Sequence, residues 1–132
     1  MARPKRYSVE GMEGQDLTFL ALPVNRSGAT IVQASVTDVD VVVYNDDGTV
    51  RYTVVNQPPA TTTGSPALAT VLTGVVNDAE WPLSGAGYSF AWTLTDTLVD
   101  WESGDYLVDF KLNTSAVGDV WILYKVTVFP KP

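Results

Sequence analysis

The chain contains no histidine and no cysteine, so its carboxylates are the first candidates for acid–base chemistry. These absences exclude serine–histidine–aspartate and cysteine–histidine catalytic sites, and they remove the usual ligands of zinc. Asp38 and Asp40 lie two residues apart, so their Cα atoms would be about 6.8 Å apart on one face of a strand. An inverting glycosidase separates its two carboxyl groups by a similar distance. The pattern is more typical of solvated acids on the outer face of a sheet, which keep that face soluble.

A second pair of acids, Asp46 and Asp47, precedes Gly48. With Asp38 or Asp40 these carboxylates could bind calcium, which prefers several oxygen ligands. The segment lacks the spaced aspartates and the trailing glutamate of a calcium-binding loop. Asp and Asn also stabilise turns through their own backbone, and we therefore expect a turn here, no metal site and no cofactor.

This turn would connect two strands, Val36–Tyr44 and Thr49–Val55, in a hairpin. A glycine at position 48 permits the positive φ that such a turn needs. If Tyr44 faces Thr49, apolar residues of the two strands meet on one face. The predicted pairs are Val43 with Val50, Val41 with Tyr52, and Val39 with Val54.

The rest of the body also has the pattern of short strands. Alternating or apolar segments occur at 16–22, 68–76, 88–94, 105–112 and 119–129. Residues 56–66 and 77–87 are predicted loops, and 95–103 is a crossing segment with one short helical turn. No segment has the 3.6-residue apolar period of a long helix. The prediction is an all-β protein: one immunoglobulin-like antiparallel sandwich of seven or eight strands over residues 16–132.

The first fifteen residues differ from this body in charge. Arg3, Lys5 and Arg6 give residues 1–9 a charge of +3, whereas the whole chain has a net charge of −7. We predict a short, flexible basic arm and hinge over residues 1–15. Arg3, Lys5, Arg6 and Tyr7 could dock on an acidic neighbouring protein, or the arm could be a solvated terminus. Nucleic-acid contact is disfavoured because the acidic body repels phosphates.

The final hairpin predicts a second contact surface. Tyr106, Val108 and Phe110 would face the core, and this leaves Leu107, Trp121 and Leu123 pointing outward. Exposing several such side chains is costly, since burying one of leucine size is worth roughly 1.5–3 kcal/mol. Either a partner chain covers this apolar stripe, or the loop 77–87 with Trp81 does.

Three aromatic residues in or near the predicted loops allow a different hypothesis. Trp81, Tyr88 and Trp101 could form a platform for a sugar ring. Aromatic side chains also fill the cores of sandwiches and anchor their loops, and such a structural role is more common than sugar binding.

Two segments resemble known proteins. Gly104–Phe110 reads Gly-Asp-Tyr-Leu-Val-Asp-Phe and resembles the Gly-x-Tyr-x-Val-x-Phe strand near the end of immunoglobulin-like domains. Trp92 lies on an earlier strand, where such domains often place a core tryptophan, but paired cysteines are absent and the antibody type is excluded. The hairpin Val43–Thr49 is similar to one in small immunoglobulin-like proteins of tailed-phage virions.

This resemblance implies a non-enzymatic structural or accessory protein of a virion, of the capsid-decoration or stabilising type. Its expected partners are a viral shell or tail protein and further copies of itself, a trimer among them, with no nucleic acid and no membrane. The N-terminus has no apolar segment of the kind found in signal peptides, and no apolar run is long enough to span a membrane. We therefore expect synthesis in the host cytoplasm and a final location in the virion. The alternative function is a carbohydrate- or cell-surface-binding module that uses the loop aromatics.

Overall fold

A computed structural model of the chain describes residues 6–21, 36–57, 70–76, 88–114 and 118–132. The elements are, in chain order, β1 (Arg6–Met12), β2 (Leu17–Ala21), β3 (Val36–Asn45), β4 (Val50–Gln57), β5 (Thr70–Val76), β6 (Tyr88–Leu94), α1 (Asp96–Val99), β7 (Gly104–Thr114) and β8 (Gly118–Phe129). In the part of the chain that these ranges cover, no helix is long and apolar enough to cross a membrane.

The strands form two sheets that pack face to face. One sheet has five strands in the order β1-β8-β7-β3-β4, and the other has three in the order β2-β6-β5. From β2 to β8 the strands follow the sequence B, C, C′, D, E, F, G of an immunoglobulin domain, with GFCC′ in one sheet and BED in the other. The predicted all-β, immunoglobulin-like sandwich is confirmed.

The predicted β3–β4 hairpin is confirmed, but its predicted register is wrong by two residues over most of its length. Val43 pairs with Tyr52 and not with Val50, and Val41 pairs with Val54. The turn accounts for one residue of the shift, because Asn45 and not Tyr44 faces Thr49. A bulge at the turn end of β4 accounts for the other, because one residue of β4 is left there without a partner on β3. A shift of two keeps each side chain on its own face. Val50 lies beyond the bulge and is 56% exposed.

The inner faces of the two sheets meet in an aromatic core. Phe110 of β7 is at its centre, and the rings of Phe19, Phe90, Trp92 and Tyr124 lie 5.3–5.7 Å from it, centroid to centroid. The tilted and edge-on arrangement of these rings is the favourable one. The prediction that Trp92 belongs to the core is confirmed.

The segment before β7 closes one end of the sandwich. The Tyr106 hydroxyl donates to the Glu102 carbonyl oxygen at 2.7 Å, four residues earlier in the chain. This contact has the form of the tyrosine corner of immunoglobulin-like sandwiches. Arg51 of β4 donates to the carbonyl oxygens of Val99 at 3.0 Å and Asp100 at 2.5 Å. It therefore satisfies carbonyl groups that the short helix α1 leaves without partners.

The predicted flexible arm needs a correction for residues 6–12. These residues form β1, which pairs in parallel with β8, from Arg6 opposite Leu123 to Met12 opposite Phe129. Polar residues suit this position because β1 is an edge strand with one solvated face. The predicted hinge is absent: β1 ends at Met12, and a tight turn follows at Gly14, where φ is +80°. Residues 1–5, with Arg3 and Lys5, lie outside the described ranges.

Candidate functional site

The outer face of the five-stranded sheet carries the predicted apolar stripe. Trp121 is 52% exposed, Leu107 is 37% exposed, and Leu123 lies diagonally between them and is half-buried. The structure extends the stripe across β3 and β4, because Tyr44 pairs with both Leu107 and Val50. We call these five residues the outer stripe.

Tyr44 and Val50 were not predicted as members of the outer stripe. Alternation along β3 places Tyr44 opposite to the core residue Val43, and this period was available from the sequence. The outward position of Val50 depends on the bulge in β4, for which the sequence has no local mark. The three predicted members therefore form part of a longer apolar band that crosses four strands.

An ion pair crosses the outer stripe at Leu123. Arg6 of β1 and Asp109 of β7 are both register partners of Leu123, which lies on β8 between them. The Arg6 Nη1 and Asp109 Oδ1 atoms are 2.8 Å apart, so the guanidinium reaches across β8 at this level. This bridge explains why Leu123 is less exposed than its two neighbours in the stripe.

A second set of charges surrounds Trp121. The Lys111 ammonium lies 5.7 Å from the centre of the Trp121 ring and 3.5 Å from a carboxylate oxygen of Asp40. The Asn113 amide donates to Asp38 and, at 3.4 Å, to Asp40. The two carboxylates considered for glycosidase chemistry thus belong to a polar network on a sheet face. They bind neighbouring side chains there, as solvated outer-face acids do.

The predicted arm residues that the structure describes belong to the sandwich. Arg6 makes the ion pair with Asp109, and the Tyr7 ring packs 5.8 Å from the ring of Tyr124. Tyr7 is still 42% exposed, whereas Tyr124 is almost fully buried. Burial raises the pKa of the Tyr124 hydroxyl strongly, and the adjacent Tyr7 adds to the effect. Arg6 and Tyr7 hold β1 in place, which the sequence did not predict.

The predicted sugar platform needs a correction at Trp101. Its side chain is completely buried, its indole Nε1 donates to the Leu94 carbonyl oxygen at 3.1 Å, and its ring packs edge-on against Tyr106. It cannot stack on a ligand without leaving the core. Trp81 and the side chain of Tyr88 lie outside the described residues.

The acidic turn has the structure that its residue types predict. Asp47 accepts hydrogen bonds from the Thr49 backbone nitrogen at 2.9 Å and from its hydroxyl at 2.6 Å. These hydrogen bonds lower the pKa of Asp47, and the bond from the Thr49 hydroxyl has the larger effect. Gly48 has a φ of +89° and completes the turn. Among the residues that the structure describes, no three acidic side chains are grouped so that they could hold a metal ion.

A cleft of about 200 Å³ lies next to this turn and to the outer stripe. Leu107 forms its apolar side, and Lys125, Asp46 and Asp105 contribute charged groups. A cleft of this size has room for one side chain of a protein partner. The cleft therefore continues the outer stripe and adds polar anchoring points beside it.

The chain has few similarities to known proteins. No family model matches it, and no curated protein matches it. Among solved structures, CopC from Methylosinus trichosporium OB3b is similar over 96% of this chain and 86% of its own, with 13% identity and a TM-score of 0.45. The NK cell receptor Nkp44, a triggering partner in natural cytotoxicity, is similar over 94% and 98%, with 15% identity and a TM-score of 0.38. No ligand or partner of this chain follows from these weak likenesses.

Proposed function

We propose that the protein is a non-enzymatic structural accessory protein of a virus particle, of the capsid-decoration or stabilising type. In this proposal it binds a neighbouring protein subunit through the outer stripe. The observation that carries the proposal is the exposed indole of Trp121 within an apolar band that crosses four strands. The fold of the sandwich does not need this band, because the core is formed by the opposite face of the same strands.

The side chains of the outer stripe are those that stabilise protein–protein interfaces. Tryptophan and tyrosine are enriched among the residues that dominate binding energy, because they bury a large area and lose little entropy. Trp121 and Tyr44 supply such groups at separate points of the stripe, with Leu107 and Leu123 between them. A flat sheet face of this kind fits another protein surface better than it fits a small ligand.

Charged groups border the outer stripe on both sides. Lys111, Asp40 and Asp38 lie along one side, and Lys125 and Asp105 lie along the other. This arrangement of an apolar centre and a polar rim is typical of docking surfaces. Rim charges set orientation and association rate more than affinity, so salt should slow binding without abolishing it.

The assignment to a virus particle is supported by the resemblance of the Val43–Thr49 hairpin to one in small immunoglobulin-like proteins of tailed-phage virions, in combination with the immunoglobulin-like strand Gly104–Phe110. Decoration proteins of this type brace a shell by contacting neighbouring subunits. Such a role needs a rigid module and a contact surface and needs no catalytic centre. Both carboxylates once considered for catalysis, Asp38 and Asp40, are bound to neighbouring side chains on the outer face.

The proposal is tested with particles released from cells that encode the protein. The particles are separated from free protein on a density gradient, and the protein is quantified in both fractions. We expect the wild-type protein in the particle fraction at a fixed copy number. Trp121→Ser should weaken this binding about 30-fold, the loss expected for an aromatic anchor residue.

Val55→Ser is the matched control, because Val55 is 65% exposed on the edge strand of the same sheet and lies outside the outer stripe. It should bind particles like the wild type. Both variants are first checked for an unchanged fold by circular dichroism. Wild-type protein that stays entirely in the free fraction would overturn the proposal. Equal binding of Trp121→Ser and the wild type would show that the outer stripe is not the contact surface.

A further inference from the structure

The strand β1 is attached to the sandwich more weakly than the other strands of its sheet. It is an edge strand, it pairs in parallel, and β8 is its neighbour in the sheet. None of its seven residues is fully buried, whereas β8 buries Ile122, Tyr124, Val126 and Val128. Parallel pairing is also slightly less stable per residue than antiparallel pairing. The other edge strand, β4, also has no fully buried residue among its described ones, but it pairs antiparallel and packs Tyr52 and Val54 against the core. β1 therefore has the lowest cost of release in the five-stranded sheet.

Three side-chain contacts hold β1 in register. Arg6 pairs with Asp109, the Tyr7 ring packs against that of Tyr124, and Val9 packs against the core. Each contact joins β1 to groups of β7, β8 or the core behind them. The β1 strand of a second copy carries the same groups at the same spacing. It could therefore replace the chain's own β1 contact for contact.

The connection from β1 to β2 is short and tightly turned. Gly14 has a φ of +80°, a conformation that other residues adopt only with strain. The Gln15 nitrogen donates to the Met12 carbonyl oxygen at 3.1 Å, and the Met12 nitrogen donates to the Gln15 side chain at 2.9 Å. An extended connection needs no left-handed residue and spans about 13 Å over four residues. Opening the turn therefore breaks these two local hydrogen bonds and removes the need for a positive φ. The bonds that the Glu13 and Gly14 nitrogens donate to the Phe129 and Trp101 carbonyl oxygens also break, and residues 13 and 14 of the second copy must remake them.

We propose that two copies of this chain exchange their β1 strands. In the exchanged dimer, β1 of each copy pairs with β8 of the other, with Arg6 beside Asp109 and Tyr7 against Tyr124. Residues 1–9 carry +3 on an otherwise acidic chain, so attraction favours this strand on a second copy as it does on its own. Exchange of identical elements is a low-cost route to a symmetric dimer. It uses neither Trp121 nor Leu107 and is independent of the proposed docking function.

Engineered cysteines test the exchange directly, because the chain has none of its own. Ser8 and Lys125 are exposed register partners on β1 and β8, and neighbouring strands bring Cα atoms to about 4.8 Å, within disulfide range. Ser8→Cys protein is mixed at high concentration with a mass-tagged Lys125→Cys protein and then oxidised. We expect a disulfide-linked heterodimer. The control mixture pairs Ser8→Cys with Thr53→Cys on the opposite edge strand and should give no more than background cross-linking.

The double variant Ser8→Cys/Lys125→Cys, at low concentration, verifies the cross-link itself. It should form an internal disulfide and run as a monomer. If it does so while the mixed single variants give only background heterodimer, the exchange does not occur and the proposal is overturned. The result is independent of any effect on particle binding.

A hinge variant gives a second, independent readout. Gly14→Ala strains the closed turn but not an extended connection, so it should raise the dimer association constant about tenfold for each of the two hinges. Gly48→Ala is the matched control, since Gly48 has a similar φ of +89° in a turn that the exchange does not open. It should leave the association constant unchanged. A Gly14→Ala protein that stays as monomeric as the wild type in light scattering would contradict the proposal.

Discussion

The two faces of the five-stranded sheet are built from the same strands and have opposite chemistry. On β7, the inward residues Phe110 and Val108 are completely buried, whereas the outward residues between and beside them are Asp109, Lys111 and Leu107. The inner face is closed by the second sheet. The outer face combines ion pairs with the outer stripe and is covered by no described strand. The comparison indicates that stability depends mainly on the inner face, and our proposal assigns binding to the outer one.

This separation has a physical basis in the two-residue period of a strand. Each inward side chain is flanked by two outward ones, so substitutions on one face leave packing on the other nearly unchanged. The sandwich can therefore lose its outer stripe without losing its core.

The largest expected effect comes from the centre of the inner face. Phe110→Ala removes a ring that contacts four other aromatic residues and should lower the free energy of unfolding by about 3–5 kcal/mol. Trp121→Ala, on the outer face, should lower it by about 1 kcal/mol or less, because half of its ring is already in water. Urea unfolding followed by circular dichroism measures both.

Phe110→Leu serves as a second variant in case the alanine protein does not fold. It retains part of the buried volume and should fall between the wild type and Phe110→Ala. A loss for Trp121→Ala as large as that for either Phe110 variant would break the comparison. The outer stripe would then be part of the structural core.

The inner face should also determine stability at alkaline pH. Burial raises the pKa of Tyr124 above the ordinary tyrosine value of 10.0, so ionisation is harder in the folded than in the unfolded state. The stabilising effect is complete below pH 10 and is lost as the pH rises. Each pH unit above 10 should cost about 1.4 kcal/mol from this residue. Tyr124→Phe should therefore flatten the decline in unfolding free energy measured between pH 10 and pH 12.

Trp121→Ala provides the control on the outer face and should decline with pH as steeply as the wild type. Burial also raises the pKa of Tyr52 and Tyr106, so some decline is expected in every variant. An identical slope in Tyr124→Phe and wild type would show that the buried hydroxyl is not coupled to unfolding.

The two faces differ in how well the sequence predicts them. Alternation identified the inward residues of β3, β7 and β8 correctly, because a period of two survives errors in register. The β3–β4 pairing was wrong by two residues, because neither the length of the turn nor the bulge in β4 leaves a local mark in the sequence. Membership of the inner face depends only on the side of the strand that a residue occupies, and the alternation of apolar and polar residues contains that information. Contacts between particular outer residues depend on the register, and the pattern does not fix it.

Trp101 and β1 show a second limit of sequence patterns. Trp101 follows a short helical turn in a segment without periodicity, and its burial results from a hydrogen bond to Leu94 and packing against Tyr106. Residues 6–12 are too polar to indicate a strand alone. They form one because β8 offers an open edge and because Arg6, Tyr7 and Val9 find partners that are distant in sequence. The contacts of Trp101 are near in the chain but follow no period, and those of β1 are distant in the chain, so an alternation pattern detects neither.

A smaller effect is expected where the inner face meets the end of the sandwich. Tyr106→Phe removes the hydroxyl that donates to Glu102 and leaves that carbonyl oxygen without this partner. The free energy of unfolding should fall by about 1 kcal/mol, with the ring packing unchanged. Urea unfolding at pH 7 measures the loss. No measurable loss would mean that water replaces the hydroxyl and that this corner is not part of the inner face's stabilising structure.

The smallest effect is expected for the ion pair on the outer face. Lys111 and Asp40 are 3.5 Å apart and partly exposed, so a double-mutant cycle with Lys111→Met and Asp40→Asn should give a coupling energy of about 0.5 kcal/mol or less. Because solvent screens the pair, 0.5 M salt should reduce the coupling further. A coupling above about 1.5 kcal/mol that salt does not change would mean that the pair is effectively buried. The outer face would then stabilise the fold as the inner face does, and the separation of stability from binding would fail at the point where Lys111 also contacts Trp121.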